Sequence, residues 1–238
     1  MHAVDWVGVI LDRAAPGDAT ASPGVPPVVV VGLALAAVAW GGSWRVLRLA
    51  VTLVHELGHA AVGVAGGRRF TGFVLRADMS GHAVTVGPTT GPALLATTWA
   101  GYPAPALVGA GVVWLGARGW AAPVLTLALL GLAAALPFVR SMLTGLVVLG
   151  VGALVAAAWW WRDDAVQQSV LLAVGTVLLL GSWRHLGAVV GARDPGSDPR
   201  VLARLSGVPA LVWSGSFAVV CALATWLAVG EVVAVVRG

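Results

Sequence analysis

The chain alternates long apolar runs with short polar breaks. Runs of about 20 apolar residues are long enough to cross a hydrocarbon core roughly 30 Å thick. Such runs lie near 26–42, 47–66, 91–116, 121–139, 142–161, 168–190 and 208–235. The pattern predicts an all-α membrane protein, a polytopic bundle of seven transmembrane helices. The count becomes six if 121–139 and 142–161, which only Arg140 and Ser141 separate, form a re-entrant pair.

Two of the polar breaks are longer than turns. Between Gly66 and Pro88, apolar side chains alternate on both sides of a polar stretch at 78–82, which predicts a small membrane-associated β-hairpin near 73–86. The second break, 191–207, is rich in Asp, Arg, Pro and Gly and continues as a short amphipathic piece around Leu202. Both breaks contain polar side chains that are candidates for a functional site.

The composition excludes a soluble globular protein. Only 10% of the residues are charged and 59% are hydrophobic, with a mean hydropathy of +0.92, whereas about a quarter of an ordinary soluble domain is charged. The net charge of +4 comes from arginines that stand singly or in pairs between apolar runs, which is typical of membrane topology and not of a nucleic-acid surface. We expect a multi-pass protein of the cell membrane, surrounded by the lipid bilayer and without a nucleic-acid partner. The lack of lysine favours a GC-rich bacterial source.

The arginines give conflicting signals about orientation. Arg45 and Arg48 precede the second run, while Arg68, Arg69 and Arg76 follow it. The positive-inside rule therefore does not choose a side. The acidic N-terminal segment favours an orientation with the first arginine pair in the cytoplasm.

The second run contains the sequence His55-Glu56-Leu57-Gly58-His59, a HExxH motif. On a helix, residues i and i+4 share a face, so the two imidazoles can bind one metal ion. Glu56 is then placed to act as the general base for water that attacks a peptide carbonyl. An ionisable side chain in a membrane helix costs on the order of 2.5–3.5 kcal/mol, so such residues normally mark a functional site. A polar cluster that joins helices or lines a water-filled cavity is the alternative.

A catalytic zinc site usually has three protein ligands. The polar residues that could fold back towards His55 and His59 are Asp78, His82, Asp163, Asp164, His185, Asp194 and Asp198. The residue pattern alone does not choose among them. The single cysteine, Cys221, excludes an intramolecular disulfide and a cysteine cluster.

Several short segments together resemble the site-2 protease family of intramembrane zinc metallopeptidases, and most closely its short, minimal bacterial and plant branch. These segments are residues 55–60, Ser80-Gly81 with Thr85, Ala100-Gly101-Tyr102, Ser197-Asp198 followed by Leu202, and Val212-Trp213. The resemblance implies that Zn²⁺ is bound by His55, His59 and Asp198, with Glu56 as the catalytic residue. Asp194 is the rival third ligand, because Pro199 follows Asp198 where better-known members have glycine.

The expected function is hydrolysis of peptide bonds in membrane-spanning protein substrates by an intramembrane zinc metalloprotease. The hairpin edge would bind the unwound substrate segment by strand addition. The prolines after Tyr102 would kink the third run near the metal, and Tyr102 is a candidate donor to a developing oxyanion. The alternative is a non-catalytic membrane scaffold or regulator that retains the metal site.

The domain prediction has two parts. Residues 1–25, with three aspartates against Arg13, form a flexible N-terminal segment that is retained because it lacks the basic start of a signal peptide. Residues 26–238 form a single polytopic membrane metalloprotease-like domain. Control by a separate regulatory membrane partner is expected, since no soluble stretch is large enough for a second core.

Overall fold

The structure is a computed structural model that describes residues 5–17, 24–190 and 194–237. Its helices are α1 (Trp6–Ala14), α2 (Pro27–Ala39), α3 (Gly41–Ala65), α4 (Pro92–Ala100), α5 (Pro103–Gly116), α6 (Ala121–Ala135), α7 (Met142–Trp160), α8 (Asp164–Val190), α9 (Asp198–Ser206) and α10 (Ala210–Arg237). A short 3₁₀ turn, Leu136–Phe138, follows α6, and the strands β1 (Arg69–Leu75) and β2 (Gly81–Val86) lie between α3 and α4. The expectation of a mostly helical protein with one small hairpin is confirmed.

The predicted count of six or seven spans is not confirmed. In the part of the chain that the structure describes, four helices are long and apolar enough to cross a membrane: Ala121–Phe138, Met142–Trp160, Asp164–Val190 and Ala210–Arg237. The number is five if α2 and α3 together make one bent span. The sequence pattern overcounts because the three runs before residue 117 are divided into shorter helices.

A sharp bend separates α2 from α3. The two helices meet at 99°, because Trp40 adopts an extended conformation at the end of α2 and Gly41 and Gly42 follow it. Ser43 stabilises the bend by donating its hydroxyl to the carbonyls of Ala37 and Trp40. As a result α3 leaves the direction of α2 and does not extend it.

The contacts between helices define two ends of the bundle. α2 and α8 run in parallel, since Gly24 N–H donates to Ala165 C=O and Arg184 donates to Val38 C=O. The turns 117–120 and 161–163 therefore lie at one end, which we call the α1 end. The turn 139–141 and the residues after α8 lie at the other, which we call the hairpin end.

The hairpin is tied to the bundle along the outer edge of β1. β1 and β2 pair antiparallel, with Phe73 opposite Ala83 and Leu75 opposite Gly81. Phe73 C=O accepts from Arg140 N–H (3.2 Å) and Leu75 N–H donates to Thr144 Oγ1 (2.7 Å). Both groups point away from β2, so the start of α7 covers this edge.

The N-terminal segment is partly helical. Residues 1–4 and 18–23, with Asp18, lie outside the described residues, as does Arg193 of the second polar break. Between them α1 forms over Trp6–Ala14, with Asp5 as N-cap accepting from Gly8 N–H at 3.0 Å. The division of the chain at residue 25 stays a prediction.

The tightest helix contact joins α5 and α8. A Cβ atom added to Gly175 would lie 2.6 Å from Gly109 C=O and 2.5 Å from a Val113 methyl. A Cβ on Gly109 would in turn lie 2.8 Å from Gly175 C=O. The two backbones touch directly, which is how small residues hold helices together in membranes.

We predict that Gly175→Ala destabilises the protein by about 1–3 kcal/mol, the usual cost of overpacking, because the methyl group forces α5 and α8 apart. Thermal unfolding in detergent micelles measures the effect. Gly187→Ala, on the same helix with no atom within 4 Å of the added Cβ, is the matched control. Equal melting temperatures for the two variants would contradict the close contact.

Candidate metal centre

α3 carries three candidate residues on adjacent positions of its inner surface. The helix buries Val51, Leu53 and Ala60, so this part of it lies inside the protein. Glu56 is only 3% exposed, and the side chains of His55 and His59 are 13% and 12% exposed. The motif is therefore held on a packed helix and is not on a mobile loop.

Asp198 meets the two histidines. His55 Nε2 and His59 Nε2 lie 3.1 Å apart, and Asp198 Oδ2 lies 3.3 Å from the first and 3.2 Å from the second. Asp198 Oδ2 is buried and makes no hydrogen bond within the described residues. In that part of the chain, His55, His59 and Asp198 form the one group of His, Cys, Asp or Glu whose ligand atoms converge closely enough for a metal ion.

The dimensions of this triangle fit a zinc site. Ligand atoms about 2.0–2.1 Å from a tetrahedral zinc ion are separated by about 3.3–3.4 Å. The three observed separations, 3.1, 3.2 and 3.3 Å, match one face of such a tetrahedron closely. The donor set, two imidazoles and a carboxylate, is also one that zinc uses in catalytic sites.

α9 holds Asp198 in place. Asp198 is the first residue of this helix and is followed by Pro199, which suits the first turn because its missing N–H needs no partner there. Leu202, one turn further on, is fully buried beside Leu186 and Phe217. The amphipathic helix is thus fixed by its apolar side, and its N-terminus faces α3.

Neighbouring groups orient the imidazoles. His59 Nδ1 donates to Thr97 C=O of α4 at 2.7 Å, which leaves Nε2 free of its proton and able to bind a metal. Tyr102 packs its ring edge-on against His55 and stacks on Phe217, with centroid separations of 4.9 and 5.0 Å. The structure thus uses the Tyr102 ring for packing, and its suggested role as an oxyanion donor is untested.

Two glycines bring the backbone against the site. A Cβ atom on Gly101 would lie 2.4 Å from His59 Nε2 and 2.6 Å from His55 Nε2, and one on Gly81 would lie 2.3 Å from Glu56 Oε1. The first lies at the break between α4 and α5, where Pro103 and Pro105 have no N–H to donate. The predicted kink is confirmed, and it passes the backbone directly over the imidazoles.

The rival ligand Asp194 lies in a turn before α9. Its Oδ1 accepts from Gly196 N–H at 2.8 Å, and its backbone carbonyl accepts from Ser197. The side chain therefore stabilises its own loop, and it is not part of the group that converges on the histidines.

The remaining candidates lie apart from the triangle. Asp163 accepts from Val166 N–H at the start of α8, and Asp164 pairs with Arg162 at the α1 end. His185 packs edge-on against Trp44. Two others, Asp78 and His82, belong to the hairpin; the Ser80 hydroxyl and N–H hold the pKa of Asp78 below its usual range.

An open cavity of about 300 Å³ lies beside the triangle. One wall is β2, with residues 81–85, and another is α4, with Leu94, Thr97 and Thr98. Because Glu56 and all three converging residues line this cavity, a ligand in it would be within reach of the site.

The family comparison agrees with this geometry. A family model described as peptidase M50B-like matches residues 28–228. The chain belongs to the peptidase M50B-like family. This confirms the resemblance to the site-2 protease family and places the chain among membrane metalloproteases. The match begins within α2, so the family resemblance includes the first apolar run.

No curated protein and no solved structure matches the chain.

Sequence reasoning missed part of the site. Thr97 acts through a backbone carbonyl, which has no signature in the sequence. The close approach of Gly81 and Gly101 was also missed, although both residues stood in the segments that carry the family resemblance.

We predict that Gly101→Ala weakens metal binding by on the order of ten- to a hundredfold, the range for groups that orient ligands. The added methyl would displace both imidazoles. Titration of the purified apo-protein with Zn²⁺ measures the affinity. Gly111→Ala on α5, where the added Cβ meets no atom within 4 Å, is the control. Unchanged zinc affinity in Gly101→Ala would show that the backbone does not constrain the histidines.

Proposed function

We propose that this chain is an intramembrane zinc metalloprotease that hydrolyses peptide bonds in membrane-spanning protein substrates. The observation that carries the proposal is the triangle of His55 Nε2, His59 Nε2 and Asp198 Oδ2, with separations of 3.1–3.3 Å. Membership of a membrane metalloprotease family supports it.

The three residues of the triangle are the proposed zinc ligands. Bound zinc supplies a Lewis acid that polarises the peptide carbonyl and makes water acidic enough to attack near neutral pH. His59 is held for this role by its bond to Thr97 C=O, and Asp198 contributes the negative charge that a divalent cation requires in a mostly apolar protein.

Glu56 is the proposed general base and later proton donor. It is next to His55 in the chain, lines the same cavity, and is shielded by the Gly81 backbone. Burial at 3% exposure keeps bulk water from competing for its proton. Glu56 would take a proton from the attacking water and deliver it to the nitrogen of the leaving amine.

The free edge of β2 is the proposed substrate-binding edge. Phe73 and Leu75 direct their backbone groups away from β2, so the alternation of an antiparallel pair directs those of Ala83 and Gly81 away from β1. This edge lines the cavity. A helical substrate that unwinds here would regain the backbone hydrogen bonds it loses.

A non-catalytic scaffold with the same metal site is the competing function. The two hypotheses differ in the role of Glu56, because zinc binding does not need this carboxylate whereas proton transfer does.

We predict that Glu56→Gln retains stoichiometric zinc and loses on the order of 10²–10⁴-fold in cleavage rate, the range for removal of a general base. Zinc is measured by elemental analysis and cleavage with a panel of single-span peptides in proteoliposomes. Wild-type cleavage in Glu56→Gln would refute the proposed mechanism, and a wild type without zinc would refute the metal site.

The third ligand is tested in the same assay by a pair of isosteric variants. Asp198→Asn should lose zinc and activity together, whereas Asp194→Asn should retain both because its carboxylate only stabilises the preceding turn. The reverse result would assign the third ligand to Asp194.

We predict that Ala83→Pro lowers cleavage at least tenfold while zinc content stays unchanged. Proline removes the one N–H of Ala83 that points to the cavity, and it leaves the ladder with β1 in place. Ala83→Ser, which keeps this N–H, is the control. If both variants cleave equally well, substrate does not bind along this edge.

A further inference from the structure

Helix α1 exposes a compact apolar face. Trp6, Val7, Ile10 and Leu11 are 59%, 67%, 51% and 65% exposed. Their spacing of i, i+1, i+4 and i+5 puts them on one side of the helix. Asp12 lies about 200° around the helix from Ile10, so the acidic side is the opposite one. This amphipathic helix directs its apolar side away from the protein.

Two arginines hold α1 in this orientation. Arg162 donates to three carbonyls at the end of the helix: Asp12 (3.1 Å), Arg13 (3.2 Å) and Ala15 (2.9 Å). A cation at this position also interacts favourably with the helix dipole. Arg13 in turn lies over the Trp160 ring, 4.3 Å from its centroid, and donates to Trp160 C=O. The apolar face is therefore fixed outward and cannot turn onto the bundle without loss of these bonds.

The surroundings of α1 have the composition of a membrane interface. α1 contacts the bundle at the α1 end, where Gly17 N–H donates to Gly119 C=O at 2.7 Å. Exposed tryptophans cluster at the same end: Trp114, Trp120, Trp160 and Trp161, each at least 45% exposed. Tryptophans collect at the level of lipid headgroups, where their rings lie between hydrocarbon and water. The apolar face of α1 thus continues the tryptophan band.

We propose that α1 is an interfacial helix whose partner is the lipid bilayer, with Trp6, Val7, Ile10 and Leu11 inserted below the headgroups of the leaflet at the α1 end. Arg13 and Arg162 remain at headgroup level, where cations are favoured beside phosphates. The helix anchors the N-terminal segment to the membrane surface. This role is independent of the metal centre, which is formed by α3 and α9.

The experiment uses the full chain with one fluorescent label. Cys221 is the single cysteine and is buried, so a Cys221→Ala background accepts a new cysteine at either Ile10 or Asp12. Each variant is labelled with an environment-sensitive fluorophore and reconstituted in phosphatidylcholine vesicles with or without brominated acyl chains, which quench on contact.

We predict that brominated lipid quenches the label in Ile10→Cys by about half or more, as for a side chain 5–10 Å inside the interface, and has little effect in Asp12→Cys. Equal, weak quenching at both positions would refute the proposal. A label at position 10 that is shielded from water but unquenched by brominated lipid would also refute it, since protein, for example a second copy of this chain, would then cover the face. Melting temperature of the unlabelled variants confirms that both are folded.

Discussion

The contact of α9 with the rest of the bundle is the constraint on which the candidate site depends. Two imidazoles on one helix turn are available wherever α3 folds, but the carboxylate must be brought to them from a different part of the chain. Burial of Leu202 beside Leu186 and Phe217 does this. Without it, an ionised Asp198 would prefer water to the neighbourhood of α4, because a buried carboxylate is costly unless paired or bound to a metal. Apolar packing thus positions the polar centre.

The polar groups of the site are few, and the backbone supplies much of their support. Thr97 C=O orients His59, while Gly81 and Gly101 let chain segments pass within contact distance of Glu56 and the imidazoles. Such an arrangement suits a membrane protein, in which added polar side chains are expensive. It also explains how one chain with 10% charged residues can build a centre of this kind.

Much of the site could be predicted from the sequence, and the reasons are local. The spacing of His55 and His59 on one helix turn follows from helix geometry, and the alternation after residue 73 predicts the hairpin. The choice of Asp198 over Asp194 rested on family resemblance, because both lie in one polar loop and only tertiary packing separates them. The span count could not be predicted, since hydropathy does not show where a helix turns. The conflict between Arg45 with Arg48 and the arginines after α3 has the same origin: α3 bends away from α2 by 99°, so its two ends need not lie on opposite sides of a membrane.

The position of the converging residues along the chain has a consequence for biosynthesis. His55 and His59 leave the ribosome early, while Asp198 belongs to the last quarter of the sequence and is followed by α10, which covers α9. A growing chain therefore holds at most two of the three groups while most of its helices are being inserted. The centre is completed only when synthesis is nearly finished, so a truncated or stalled product is inert by construction and cannot attack its neighbours in the membrane.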